Sequence, residues 1–357
     1  MLKIPQFQPC FNKVDLKTRL FAYVYSGGYF TEYTQTALFE KRLKNLLNIK
    51  YCSVVNNGTI SLSLALLACG VHAGHKVLVP NLTMIATINA VKLIGAKPIL
   101  VDVEKETLCM DLNKAPVDER TKALIYVTLN GRCGNINGIK NFVEQHKLAY
   151  IEDDAQSLFS KYPGTIVPIG NFADVASFSF SMPKLITTGQ GGCLCTNIPE
   201  MANKIKKIKD FGRSSGGMDI HDTFGINSKF TELQAIVGLS QLKNINTKIE
   251  KKKHIYSVYY NELAKIVNFL KPPELPWFVD IYVDDKEKLS KHLADSGIGS
   301  RPIYPPINSQ KSINITGDFK VSEVFSKMGI WLPSSLNLTN RHIQYICKVV
   351  KNFYGSK

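Results

Sequence analysis

Several patterns that would define a function class are absent from this sequence. Its eight cysteines include no CxxC spacing, and none of its seven histidines belongs to an HExxH motif or a His–Cys cluster. Because zinc sites depend on such ligand spacings, we predict no metal site. Scattered cysteines of this kind are typical of reduced side chains that pack as small apolar groups. No GxGxxG motif follows an early strand, which argues against a nicotinamide-dependent oxidoreductase.

Long apolar runs are missing as well. Residues 1–8 lack the apolar segment of a secretory signal peptide. The richest apolar stretch, residues 64–69, is too short to span a bilayer. We therefore expect a soluble, intracellular protein of the cytoplasm.

The charge is strongly positive but dispersed. The chain carries 44 Lys and Arg against 29 Asp and Glu, a formal net charge of +15. No nucleic-acid-binding motif accompanies this charge, so we predict no nucleic-acid partner. A positive field would favour an anionic small substrate such as a nucleotide diphosphate. The densest basic run, residues 251–254, follows a predicted helix, and we interpret it as a solvated face.

Short apolar runs alternate with helical patterns between residues 50 and 200. This alternation predicts a parallel sheet covered by helices. The close spacing of the last two strands indicates a local departure from strict βαβ order. Strands are predicted at 76–80, 98–102, 123–128, 149–153, 174–180 and 192–196, and helices near 59–69, 83–94, 138–147 and 200–209.

We expect two domains, residues 1–245 and residues 246–357. The first thirty or so residues of the large domain would form an arm or loop that reaches the active site or a partner subunit. A long helix from 231 to about 253 would lead into the smaller domain. There the sequence predicts an extended Pro-rich connector at 271–277, a strand at 278–283 and helices near 285–296 and 340–353.

The segment NNGTISLSL, residues 56–64, joins a strand to a helix. Gly58 lets the backbone approach a ligand closely. Thr59 and the free amides of the first turn would form an anion site that the helix dipole strengthens. The alternative is an ordinary helix start with Thr59 as its N-cap.

Asp153 ends the strand predicted at 149–153, at the edge where ligands bind in open α/β sheets. Asp153 and Asp154 would point to opposite faces, so only one of them can address a given ligand. A buried carboxylate needs a cationic partner or hydrogen-bond donors, and a pyridinium N–H supplies both. Asp154 would then be a surface or capping residue.

The segment SFSFSMPK, residues 177–184, ends at Lys184, which we expect on a turn after an apolar strand. A lysine that faces a strand-end aspartate suits pyridoxal phosphate. The amine holds the cofactor aldehyde as a Schiff base, and the aspartate keeps the pyridine nitrogen protonated. Taken alone, this segment also fits a strand followed by a glycine-rich loop.

In this order the three segments resemble the nucleotide-sugar aminotransferases of the fold type I pyridoxal phosphate enzymes, the StrS/DegT-like family. The family patterns run Ser-Gly-Thr, Glu-Asp-Ala-Ala-Gln, and Ser-Phe-Ser-x-x-x-x-Lys followed by Gly-Glu-Gly-Gly. The resemblance covers nearly the whole chain and is strongest to the perosamine- and viosamine-type 4-aminotransferases. It implies an α/β fold: a large domain with a mostly parallel seven-stranded sheet between helices, plus a smaller α+β domain.

The resemblance also implies the roles of individual residues. Lys184 and Asp153 are the catalytic pair, and Lys184 moves the proton between substrate and cofactor. Ala155 packs under the cofactor ring, and Gln156 hydrogen-bonds its phenolic oxygen. Asn227 of the partner subunit reaches the phosphate, which implies a homodimer with a shared active site. The implied cofactor contacts besides the catalytic pair are Gly58, Thr59, Met84, Ala155, Gln156, Ser179 and Asn227.

Some positions depart from the family pattern. Met84 stands where an aromatic side chain often stacks on the ring, and a thioether is a less rigid cover. Asp154 replaces a small residue, and Gln190 replaces a glutamate. We expect the sugar and nucleotide contacts to differ more than the cofactor contacts. The candidate substrate residues are Ser181, which stands where histidine is frequent, Arg213, Lys229, which replaces an arginine, and Arg301; Asn308 replaces a histidine.

These features predict a transaminase that moves the amine of L-glutamate to C4 of a nucleotide-linked 4-keto-6-deoxyhexose, in glycan biosynthesis. The product is a 4-amino-4,6-dideoxy sugar, and the cycle is ping-pong. Amination at C3 and sugar dehydration are the alternatives within the same chemistry. Lys184 argues against dehydration, because the dehydratases of this family carry histidine there. A non-catalytic binding or regulatory module is the alternative outside enzymes.

Overall fold

The computed structural model describes residues 3–215 and 219–355. Its helices are α1 (Lys13–Tyr25), α2 (Thr34–Leu47), α3 (Gly58–Ala68), α4 (Ile85–Leu93), α5 (Ile136–Gln145), α6 (Pro199–Ile208), α7 (Glu232–Leu242), α8 (Ile245–Leu263), α9 (Lys286–Asp295), α10 (Lys320–Met328) and α11 (Asn340–Gly355). Its strands are β1 (Tyr51–Val55), β2 (Lys76–Pro80), β3 (Lys97–Val101), β4 (Thr121–Val127), β5 (Ala149–Asp153), β6 (Val175–Ser179), β7 (Gly192–Thr196), β8 (Val279–Tyr282), β9 (Arg301–Pro302) and β10 (Gly329–Leu332).

A seven-stranded sheet with the order β1-β7-β6-β5-β4-β2-β3 forms the centre of the N-terminal part. The pairs β2–β3, β2–β4, β4–β5 and β5–β6 are parallel. Strand β7 runs antiparallel to its two neighbours, β6 and β1. The α/β fold with a mostly parallel sheet is therefore confirmed, and the predicted departure from βαβ order is the reversal at β7.

Both faces of this sheet are covered, as its continuous apolar strands require. Ile151 packs with α3 and α4 residues on one face, while Tyr150 joins a separate apolar cluster on the other. The alternation places Asp153 on the α3 and α4 side. Asp154 points the opposite way, as predicted, but it is fully buried rather than a surface or capping residue.

A three-stranded antiparallel sheet, β8-β10-β9, forms the second layer with α8, α9 and α11. Its own apolar cluster includes Ile255, Ile281 and Ile346. A buried bidentate ion pair joins the two parts, because Arg132 donates two 2.7 Å hydrogen bonds to Asp280. The domain division at residue 245 stays a prediction.

Two predictions about helices were wrong. The helix predicted from 231 to 253 is two helices, because Asn244 takes a left-handed conformation with φ of 65° and ends the first run. The first thirty residues are not only an arm or loop, since residues 13–25 form α1. The arm does reach inward, because residues 7–10 line a small cavity together with Lys184.

The basic run at 251–254 lies inside α8 and is not a purely solvated face. Lys252 is only 6% exposed, and its amine donates to the backbone carbonyls of Trp277 and Ser334. Burial lowers the pKa of Lys252 to about 7. Within residues 3–215 and 219–355, no helix is both long and apolar enough to cross a membrane.

Candidate active site

Three chain segments meet at one edge of the seven-stranded sheet. Helix α3 begins directly after β1, Asp153 ends β5, and Lys184 lies in the turn that follows β6. Strands β1 and β6 both run antiparallel to β7, and β5 is parallel to β6. The carboxyl ends of β1, β5 and β6 therefore share an edge, which is where open α/β sheets bind ligands.

The start of α3 lies tightly against the ends of β6 and β7. A Cβ on Gly58 would come within 3.0 Å of the Ser179 Cβ, and one on Gly192 would lie 2.9 Å from the Gly58 nitrogen. Asn57, not Thr59, is the N-cap, and its side chain accepts from the Ile60 amide at 2.9 Å. The alternative role for Thr59 is thus wrong, and the first-turn amides and the Ser179 hydroxyl form one polar cradle.

Asp153 is held by donors on the α4 side of the sheet. Its Oδ2 accepts a 2.7 Å hydrogen bond from Thr87, and its Oδ1 accepts from the Ala155 amide at 3.2 Å. The side chain is 6% exposed. Burial raises the pKa of Asp153, while the two hydrogen bonds and the charge of Lys184 oppose that rise. Such a carboxylate gains from a cationic ligand.

Lys184 is half-buried in the connection between β6 and β7, where its amide donates to the Ser181 carbonyl at 3.1 Å. Its amine lies 4.1 Å from the centre of the Trp277 ring. Burial lowers the pKa of Lys184 to about 8; Asp153 raises it and Arg301 lowers it further. Since a free lysine titrates near 10.4, this amine is far closer to neutral at physiological pH.

Gln156 is fixed from both ends of its amide. The Asn130 backbone N–H donates to its Oε1 at 2.8 Å, and its Nε2 donates to the Tyr304 hydroxyl at 3.3 Å. Asn130 itself has a φ of 55° and exchanges two hydrogen bonds with the backbone of Phe278. The side-chain amide of Gln156, which was predicted to hydrogen-bond the phenolic oxygen of the cofactor, is therefore oriented by contacts from both the N-terminal and the C-terminal part of the chain.

Met84 caps α4, one turn before Thr87. Its sulfur accepts from the Ala86 amide at 3.0 Å, and the side chain is 44% exposed. Thr87, which binds Asp153, follows Met84 in the first turn of α4. Ser181 lies beside Ser179, whose hydroxyl is 3.3 Å from that of Ser181.

The other predicted site residues divide into two groups. Arg301 acts electrostatically on Lys184 and lies 5.6 Å from the Trp331 ring, so the fold brings it into the site. Arg213 and Lys229 instead pair with Asp210. Asn227 is exposed beside them and accepts from the Lys229 amide at 3.4 Å.

Four residues of the site were missed from the sequence. Thr87 lies in a predicted helix, and Asn130, Trp277 and Tyr304 lie in loops or connectors far from the motifs. Each reaches the site through a contact across at least 26 positions of the chain. Two local signals could have found members of this set, since the family resemblance includes residues 79–89, which contain Thr87, and residues 299–306, which contain Tyr304.

The residues present fit pyridoxal phosphate. The cradle at Gly58 and Ser179 offers amides and a hydroxyl to an anion. Asp153 offers a buried carboxylate to a pyridinium N–H, and Lys184 offers an amine of lowered pKa to an aldehyde. When bound, this cofactor withdraws electrons from the substrate carbon that loses a proton.

A cluster of three cysteines lies elsewhere, on β1 and β7. The sulfurs of Cys52, Cys193 and Cys195 all lie within 4.8 Å of one another, and 3.9 Å separates the last two. Cys193 and Cys195 lie two positions apart on β7, so their side chains share one face of the sheet. All three are buried in an apolar cluster with Phe39 and Phe178, so we retain the prediction of reduced core side chains.

Similarity to known proteins agrees with this geometry. The chain is 34% identical over 329 residues to a GDP-perosamine synthase of Escherichia coli O157:H7, covering 89% of this chain and 90% of the relative. It is 31% identical to a GDP-perosamine synthase of Caulobacter vibrioides, covering 86% and 87%. The solved structure of a DegT DnrJ EryC1 StrS aminotransferase from Brucella abortus superposes with a TM-score of 0.91 at 28% identity, covering 96% of each chain.

The family match spans almost the whole chain. The DegT/DnrJ/EryC1/StrS aminotransferase family model matches residues 14–351. This confirms the resemblance drawn from the three motifs, the enzyme class and the cofactor. The chain belongs to the DegT/DnrJ/EryC1/StrS aminotransferase family and is a pyridoxal-phosphate-dependent sugar aminotransferase.

Proposed function

We propose that this enzyme transfers the amine of L-glutamate to the C4 carbonyl of a nucleotide-linked 4-keto-6-deoxyhexose. The products are 2-oxoglutarate and a 4-amino-4,6-dideoxy sugar for glycan biosynthesis. The observation that carries the proposal is the pairing of Lys184, whose pKa falls to about 8, with the buried Asp153. The names of the two curated relatives support a perosamine-type product and make a GDP-linked sugar the first one to test.

In this proposal Lys184 is the acid and base of both half-reactions. An amine with a pKa near 8 holds a proton or releases it with little cost at neutral pH, which general acid–base catalysis requires. Asp153 remains ionised beside the pyridinium nitrogen, supported by Thr87. Gly58, Thr59 and Ser179 hold the phosphate, and Gln156 orients the phenolic oxygen. Ala155 and Met84 cover the ring.

The substrate contacts form the second part of the proposal. Arg301 and Ser181 lie near Lys184 and are assigned to the sugar diphosphate. Arg213, Asn227 and Lys229 lie between α6 and α7 around Asp210, and we assign these three residues to the active site of the partner subunit.

We also propose a homodimer with a shared active site. Helix α1 has no buried residue, and Phe21, Val24 and Tyr25 on it are 68%, 54% and 84% exposed. Tyr29 and Phe30 directly after it are also more than half exposed. An apolar surface of this extent supports a protein–protein contact.

One experiment separates this proposal from its alternatives. Purified protein with pyridoxal phosphate and ¹⁵N-labelled L-glutamate is incubated with GDP-, dTDP- and UDP-linked 4-keto-6-deoxyhexoses, and products are identified by mass and NMR. We expect ¹⁵N bonded to C4 with one of these substrates and an equal amount of 2-oxoglutarate.

Other outcomes have distinct signatures. Label at C3 after supply of a 3-keto sugar would indicate the C3 aminotransferase, and a 3-deoxy product without label would indicate a dehydratase. A protein that binds cofactor and sugar but forms no product would favour the binding module. The Lys184→Ala variant is the matched control, and turnover by it would contradict the assigned role of the lysine.

A further inference from the structure

Trp277 contacts the Lys184 turn at two points. Its indole N–H donates a 2.7 Å hydrogen bond to the carbonyl of Pro183, the residue before the lysine. The Lys184 amine lies 4.1 Å from the centre of the same ring. Trp277 is 5% exposed, so both contacts lie away from bulk water, where a cation over an indole is held most strongly.

Trp277 is itself held in place by its neighbours. Its backbone carbonyl accepts from the amine of Lys252, which also donates to the Ser334 carbonyl at 2.9 Å. Its ring meets the Trp331 ring edge-on, with centroids 5.4 Å apart, and the Phe278 ring lies 4.1 Å away. An indole fixed at its backbone and on its rim can hold another group in place.

The proposed reaction requires the Lys184 amine to be held in place. Lys184 would hold the cofactor aldehyde in the resting enzyme, and it would be a free amine while the substrate amine occupies that position. The free amine must then stay within reach of the carbon whose proton it moves, since a misplacement of about 1 Å can cost 10²-fold in rate. A flexible four-carbon side chain does not ensure this by itself.

We propose that Trp277 is a positioning residue for Lys184, resting on the function proposed above. The N–H to the Pro183 carbonyl fixes the backbone of the turn. The ring face holds the ε-ammonium whenever the amine is not joined to the cofactor. Trp277 thereby keeps the general acid–base group in place.

Two substitutions separate the two contacts. Trp277→Phe keeps an aromatic face and removes the N–H donor, while Trp277→Leu removes both. Tyr259→Leu is the matched control, because Tyr259 is a fully buried aromatic residue that also donates to a proline carbonyl, at 2.9 Å from Pro333. It lies in the apolar cluster of the three-stranded sheet.

The first readout uses cofactor-free protein. Lys184 acylation by acetic anhydride at neutral pH is followed by peptide mass spectrometry, with the 3% exposed Lys209 as an internal reference for unfolding. We expect faster acylation of Lys184, but not of Lys209, in Trp277→Leu, because its amine is less well held. Unchanged labelling of Lys184 in Trp277→Leu would overturn the proposal.

The second readout uses the loaded enzyme. In Trp277→Leu, we expect kcat to fall roughly 2- to 30-fold, the range of a cation–π contact of about 0.5–2 kcal/mol. The KM for glutamate should stay within about twofold, and Trp277→Phe should lose less than Trp277→Leu. Losses no larger than those of Tyr259→Leu would show a packing role only and overturn the proposal.

The remaining outcomes are also decisive. If Trp277→Leu does not fold, Trp277→Met, which also lacks both the aromatic face and the N–H donor, takes its place in both readouts. Trp277→Phe tests only the N–H contact, and unchanged kcat with unchanged labelling in it would overturn that part of the proposal. If the wild-type protein attaches no pyridoxal phosphate at Lys184, the proposed function fails and this inference fails with it. Normal wild-type attachment with normal variants rejects Trp277 alone.

Discussion

At the scale of single residues, two charged neighbours act on the Lys184 amine in opposite directions. Burial sets its pKa near 8, Asp153 stabilises the ammonium form and Arg301 destabilises it. The signs follow from charge alone, because an opposite charge favours the charged form and a like charge disfavours it. The cofactor-free protein therefore allows each neighbour to be tested separately.

We expect Asp153→Asn to lower the pKa of Lys184 and Arg301→Gln to raise it. The measurement is the pH dependence of Lys184 acylation in cofactor-free protein, with the surface substitution Arg120→Gln as control. In the loaded enzyme, Asp153→Asn should also cut turnover roughly 10²-fold or more, because a preorganised charge is lost. Shifts in the reverse directions would contradict the assigned electrostatics.

Some residues of this site were predicted from the sequence and others were missed, for a physical reason. Asp153, Lys184 and Gly58 each lie in a short motif within one strand end or turn, so neighbouring residues in the sequence are enough to recognise them. Thr87 and Tyr304 join the site through contacts set by tertiary packing, at separations of 66 and 148 positions. A single sequence gives little sign of such contacts.

At the scale of elements, the start of α2 depends on a residue of α7. The carboxylate of Glu232 accepts from the amides of Tyr33, Gln35 and Thr36 at 2.6–2.8 Å and from the Thr36 hydroxyl at 2.6 Å. The Tyr23 hydroxyl on α1 also donates to it, at 3.1 Å. One buried carboxylate thus caps α2 and ties α1 to α7.

Glu232→Ala should lower the free energy of unfolding by about 3 kcal/mol or more, because several hydrogen bonds to a charged acceptor are lost. Burial would raise the pKa of Glu232, but the hydrogen bonds from Thr36 and the amides lower it below its usual value. Its stabilisation is therefore full above the unfolded pKa of about 4.3 and is lost as pH falls through the lower folded value.

Urea unfolding of the wild-type protein and of Glu232→Ala at several pH values measures the contribution of Glu232 to the free energy of unfolding. The control is Glu200→Ala, whose side chain is 71% exposed and pairs with Lys204 at the start of α6. The Glu232 contribution should disappear at low pH, and Glu200→Ala should change stability by less than about 1 kcal/mol. Equal effects of the two substitutions would refute the capping role.

The secondary-structure predictions were correct where a sequence pattern is compatible with only one type of element. The strands β2, β4 and β5 were predicted from their apolar runs, because fully buried parallel strands have continuous apolar sequences. The helix predicted from 231 to 253 failed at Asn244, because a residue that enters the left-handed region does not interrupt the apolar pattern. Lys252 was misread for a related reason, since a buried lysine and a solvated one look alike in sequence.

At the scale of the whole molecule, the account requires two chains for one active site. Asn227, Arg213 and Lys229 lie between α6 and α7 and pair with one another or with Asp210. The exposed apolar residues of α1 add a surface for a second copy. The proposed partner contact makes a clear prediction about mixed dimers.

Asn227→Ala alone should release pyridoxal phosphate faster on dialysis, and Lys184→Ala alone should be inactive. When the two variants are unfolded together and refolded, half of the dimers are mixed. In each mixed dimer one site carries both changes and the other carries neither. After a dialysis that strips the cofactor from Asn227→Ala dimers, the mixture should therefore show about a quarter of wild-type activity. Recovery fails if Asn227 serves its own subunit, and an active monomer by sedimentation would also contradict the account.

The most direct measurement of the central claim is the site of cofactor attachment. The purified protein is incubated with pyridoxal phosphate, reduced with borohydride, digested and analysed by mass spectrometry. Lys252, with a pKa near 7, is the internal competitor. We predict a single modified peptide, at Lys184, that is absent from Lys184→Ala; modification at Lys252, or none at all, would contradict the assignment of Lys184.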